Sequence, residues 1–182
     1  MKKKLLAISG STRENSTNEL ILKAVARLYP NEIDVQIYDG IAKLPYFNPD
    51  LVKNEYDVPE QVKVFYRLIE QADGILVCTP EYVFSLPGVL KNALEWTVST
   101  TVFSYKPFAF IVASASGEKA FESLDLIMRT LLQEPVDEDC KLLIKGGRGQ
   151  INEEGEFKHE DILKQVKHTM ASLMKKIEAS AS

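Results

Sequence analysis

The chain has 182 residues, 45% hydrophobic and 26% charged, the length and composition of one globular domain with a sizeable core. Its 22 basic and 26 acidic residues leave a net charge of -4, which argues against a general nucleic-acid binder. No apolar run is long enough to span a bilayer, so neither nucleic acid nor a membrane is an expected partner. Lys2 to Lys4 read as a solvated end leading into a strand, Leu5-Leu6-Ala7-Ile8. A helix over about 17–28 follows, with Leu20, Ile21, Ala24, Val25 and Leu28 on one face. Residues 34–38 form a second strand whose alternation suits a sheet edge. After it comes a long polar and proline-bearing connection that includes Leu44 to Asp50. Such a length points to a functional segment or to packing against a partner. Pro59 opens a helix with Val62, Phe65, Leu68 and Ile69 inward.

Gly74 to Cys78 is continuous and apolar, as a central parallel strand is. A helix over about 86–98 leads to a fourth strand at 108–113. Another helix over about 119–133 leads to a fifth strand at 141–144. The last helix runs over about 160–177, with Ile162, Val166, Met170, Leu173 and Ile177 as core positions. Five strands each followed by a helix predict an α/β domain covering 1–182, a doubly wound parallel sheet of order 2-1-3-4-5 with helices on both faces. Ligands in such sheets bind beyond the carboxyl ends of the strands, here at the loops after strands one, three and four.

The first of these loops reads ISGSTRENSTN. A phosphate needs several donors converging at short range, and a helix N-terminus adds free amides and a favourable dipole. Gly10 permits a tight turn. Ser11, Thr12, Ser16, Thr17 and Asn18 can donate from side chains, and Arg13 can add a charge-assisted contact. The plainer alternative is a turn whose Ser, Thr or Asn merely caps the helix. One cap needs one such residue, and this loop holds a surplus. No Gly-Lys-Ser/Thr ending and no triple-glycine fingerprint is present, and Gly146-Gly147-Arg148-Gly149 reads as a flexible turn. Cys78 and Cys140 have neither metal-ligand nor redox spacing; no metal site is expected, and two unpaired thiols suit a reducing cytoplasm.

After strand three the chain reads TPEYVFSLPGVLKNALEW, residues 79–96. Gly10-Ser11-Thr12-Arg13 with Ser16 and Asn18, joined to Pro80-Glu81-Tyr82, Ser85, Pro87-Gly88, Leu90-Lys91-Asn92-Ala93 and Trp96, resembles the NADPH-dependent FMN reductases of flavodoxin-like fold. The resemblance covers nearly the whole chain in order and spacing. It implies FMN held without a covalent bond, its phosphate in the loop at 11–18. The ring would lie against Pro80, Glu81, Tyr82 and Val83 and against Ser114, Ala115, Ser116 and Gly117. NADPH or NADH would be the co-substrate. Hydride would pass from nicotinamide to the flavin and on to a quinone, an azo compound, a metal ion or free flavin. No catalytic side chain is assigned, and Glu81 and Tyr82 read as turn-forming and packing residues. Two departures stand out. Val83 replaces the family's usual Asn and is followed by a bulky Phe84, and the loop after strand four is less glycine-rich than usual. Phe84 either borders the flavin or packs in the core. The other readings are a flavodoxin-type electron carrier and a flavodoxin-like domain without reductase activity. A homodimer or homotetramer is expected, with apolar surface supplied by Tyr46, Phe47, Pro49, Leu94 and Trp96.

Overall fold

A computed structural model describes residues 2–52 and 57–180. Strands β1 (Lys3–Ser9), β2 (Ile33–Tyr38), β3 (Gly74–Thr79), β4 (Phe108–Ser114) and β5 (Lys141–Lys145) alternate with helices α1 (Thr17–Leu28), α2 (Glu60–Gln71), α3 (Gly88–Trp96), α4 (Glu118–Leu132) and α5 (Glu160–Ser180). The sheet order is β2-β1-β3-β4-β5, as the crossover rule requires, and every pair is parallel. All carboxyl ends therefore emerge on one edge, and the winding reverses between β1 and β3.

Burial follows position in the sheet. All six residues of β3 are buried, as expected of a central strand covered on both faces, and this is why its sequence is an unbroken apolar run. In β2 burial alternates, with Asp34 and Gln36 exposed, because it is the edge strand. Helix α1 spans the residues its periodicity predicts, and Leu22 is buried alongside Ile21 and Val25. Helix α3 is shorter than expected. Pro87 keeps Leu86 out of the helical region, so the first helical residue is Gly88, and Thr97 caps the far end.

The segment after β2 packs on its own chain. The Pro45 carbonyl accepts from Asn92 Nδ2 at 3.0 Å and from Trp96 Nε1 at 2.8 Å. The Phe47 amide donates to Asn92 Oδ1 at 2.7 Å, and the Phe47 ring meets Trp96 edge-on at 5.3 Å. This corrects the expectation for α3. Leu94 and Trp96 are buried at 2% and 0% exposure, so they supply no surface to a partner. An indole of about 150–250 Å² removed from water is worth roughly 4–6 kcal/mol, which anchors this connection.

Candidate functional site

The loop after β1 passes very close to β3: a Cβ at Gly10 would lie 2.2 Å from Thr79 Oγ1, so only glycine fits the approach. Beyond it the chain turns into α1. Ser16 is the N-cap, in extended conformation, and its hydroxyl accepts the Glu19 N–H at 3.1 Å. The Glu19 carboxylate reaches back to the Asn15 N–H at 3.1 Å. Ser11 Oγ accepts the Arg13 N–H at 3.3 Å, and the Ser11 N–H goes to Ser9 Oγ at 3.2 Å. Capping therefore takes one lone pair of Ser16 and leaves its proton to donate, and Ser11 is in the same position. Thr17 and Asn18, the first two helical residues, have no carbonyl one turn back within the helix. Ser11, Ser16, Thr17 and Asn18 are nevertheless buried, at 9%, 3%, 8% and 3% exposure. Their donors converge under a helix dipole of positive sign.

These four residues and Arg13 form one wall of a cavity of about 400 Å³. Pro80 and Tyr82 from the loop after β3, and Ala113, Ser114 and Ala115 at the end of β4, form the opposite side. Gly146 and Gly147 complete the lining, which revises the reading of 146–149 as a turn and nothing more. A Cβ on Gly147 would come 3.3 Å from the Ser114 backbone, so the loops after β4 and β5 pack main chain to main chain. The strand-end rule covers this loop too, because β5 pairs with β4 and ends beside it. Thr12, Glu81, Val83, Ser116 and Gly117 are not part of the lining. Thr12 is exposed on the outside of the loop. Gly117, with φ of 96°, is the N-cap of α4 and turns toward Leu143 and Val112.

Among the described residues of the lining, Arg13 is the only charged one and no carboxylate is present. A cation, several hydroxyl and amide donors and a helix N-terminus suit a phosphate monoester. The apolar faces of Pro80, Tyr82, Ala113 and Ala115 suit a flat ring beside it. The family model for NADPH-dependent FMN reductase matches residues 3–134. The chain belongs to the NADPH-dependent FMN reductase family. It is thus an oxidoreductase that works with FMN and a nicotinamide dinucleotide. A 2-hydroxy-1,4-benzoquinone reductase from a Burkholderia species is 33% identical over 174 residues, 88% of either chain. An NADPH azoreductase from a Bacillus species is 27% identical over 173 residues, 92% of this chain and 93% of that one. Among solved structures, the flavoenzyme NAD(P)H:(acceptor) oxidoreductase FerB of Paracoccus denitrificans superposes with a TM-score of 0.77, at 23% identity, covering 97% of this chain and 98% of that one.

Within this member of the family, Glu81 is a tie between two loops. Its carboxylate accepts from the Ala120 N–H at 2.9 Å, the Lys119 N–H at 2.8 Å and the Ser116 hydroxyl at 3.2 Å. Those bonds, the Ala120 amide first, hold its pKa below the ordinary carboxylate value. The loop after β3 is thereby fastened to the start of α4. Residues 82–85 close a tight turn, Tyr82 N–H to Ser85 O at 3.0 Å and Ser85 N–H to Tyr82 O at 3.1 Å. Its two central residues are left-handed, Val83 at φ 50° and Phe84 at φ 58°. Such turns favour Asn and Gly, and a β-branched residue there is strained. Both side chains are also exposed, at 93% and 78%. Phe84 is therefore not a core residue.

Proposed function

We propose that FMN sits in this cavity with its phosphate among Ser11, Arg13, Ser16, Thr17 and Asn18. The isoalloxazine lies against the lining residues of the loops after β3 and β4, Pro80, Tyr82 and Ala113 to Ala115. The observation that carries this reading is the lining itself, buried donors at the start of α1 with the Arg13 cation and, among the described residues, no opposing carboxylate. Bound FMN supplies hydride chemistry between a nicotinamide and an acceptor. The chain's own residues do the rest. Ser16, Thr17 and Asn18 fix the phosphate end, Glu81 holds the two ring-flanking loops together, and the Val83-Phe84 tip stands beside Tyr82 at the cavity rim. The acceptor is a quinone, an azo compound or a free flavin, the classes named for the reductases this chain resembles.

We further infer one domain over 1–182, in a reducing cytoplasm that suits the two free buried thiols Cys78 and Cys140. A homodimer or homotetramer would cover Tyr46, which is 91% exposed on the segment held against α3. The test of function is NADPH oxidation by the FMN-loaded protein with benzoquinone. Turnover that requires protein, FMN and quinone together supports a reductase. FMN binding without quinone-dependent oxidation would point instead to an electron carrier.

A further inference from the structure

Cys78, next to last in β3, lies directly beneath the first turn of α1 and is wholly buried. Its Sγ donates to Asn18 Oδ1 at 3.3 Å. Burial pushes the thiol well above the ordinary cysteine range, so the group remains S–H and remains a donor. With the thiol donating, the Asn18 amide presents its oxygen to Cys78, which turns its NH2 the other way. Asn18 lines the cavity, and among the described residues no protein acceptor takes its Nδ2. The cavity that Asn18 lines is the open space beside this side chain. Reversing the amide would put a carbonyl oxygen against a bound phosphate.

We infer that Cys78 is a positioning residue: its thiol holds the Asn18 amide with NH2 toward the phosphate and oxygen away from it. This rests on the FMN reading above. In the strand ladder Cys78 sits between Ser9 and Ile111, in a β-strand core position of the kind that valine commonly fills. A role in packing alone therefore predicts that valine serves as well as cysteine.

The experiment titrates FMN and riboflavin against the wild type and the variants Cys78→Ser, Cys78→Val, Asn18→Ala and Cys78→Val/Asn18→Ala. Cys78→Val is expected to weaken FMN by roughly tenfold, the lower end of the worth of one oriented hydrogen bond to a charged group, and to leave riboflavin unaffected. Cys78→Ser, which keeps a donor, restores FMN affinity. The double variant is no weaker than Asn18→Ala, because the thiol acts only through that amide. FMN affinity in Cys78→Val equal to wild type, or equal losses for FMN and riboflavin, would overturn the inference. A wild type that binds the two flavins equally would instead overturn the phosphate site beneath it. In the wild type, inorganic phosphate should shift the Asn18 side-chain amide resonances, a readout independent of whether the variants fold. Resonances that stay in place on phosphate addition, in a wild type that prefers FMN to riboflavin, would also overturn the inference.

Discussion

At Ser16 one hydroxyl accepts the Glu19 amide and keeps its proton for a ligand. Ser16→Ala is therefore expected to cost about 1 kcal/mol of stability, as lost N-caps do, and to weaken FMN roughly tenfold while sparing riboflavin. Denaturant unfolding measures the first effect and paired flavin titrations the second. Glu81 behaves differently. Its folded pKa is depressed, so its stabilisation is complete above the ordinary carboxylate value of about 4.3 and fades as pH falls through the lower folded value. Glu81→Gln should lose roughly 0.5–1 kcal/mol at neutral pH, a small figure because the site is solvent-screened. That deficit against wild type should close in acid, and thermal melting across pH follows it. Because Glu81 ties loops rather than touching phosphate, this variant should weaken FMN and riboflavin alike. The Ser11-to-Asn18 wall was legible because a surplus of hydroxyls at a strand-to-helix junction has few structural uses. Gly146 and Gly147 were not, because a glycine run carries no side chain to say what lies beside it, and only the pairing of β5 with β4 brings it to the cavity.

Among the elements, strands and helices were readable from period and apolar runs, since β3 is buried throughout and β2 alternates. The turn at 82–85 was not readable. Valine is among the last residues expected at positive φ, so nothing in Val83-Phe84 announces a left-handed pair. Exchanging Val83 for Asn, which tolerates this conformation, should raise stability by about 1 kcal/mol, visible as a higher melting temperature. No change or a decrease would show that the turn is not strained in solution. Phe84→Gly tests what the tip does. With Phe84 78% exposed, the change should not lower the melting temperature. It should alter kcat/KM by different factors for quinones of different width, with FMN affinity constant. A uniform activity change across the quinone series would remove Phe84 from the acceptor's path.

For the whole molecule, the order β2-β1-β3-β4-β5 puts five loops on one edge of the sheet, and the cavity is assembled from four of them, those after β1, β3, β4 and β5. The fold was legible at this scale because right-handed crossovers leave few ways to arrange five alternating strands and helices. Which acceptor uses the site was not, since any flat acceptor reaches the same open face and leaves little trace in the lining. Assembly belongs here too: light scattering at micromolar concentration should give at least a dimer, and a monomeric mass would refute the proposed oligomer. The most direct test of the central claim is a titration of the purified wild-type protein with FMN and with riboflavin under identical conditions. A phosphate seated at the start of α1 predicts one FMN per chain, bound at least roughly tenfold more tightly than riboflavin, as a charge-assisted hydrogen-bond set requires. Equal affinity for the two flavins, or no binding of either, would contradict it.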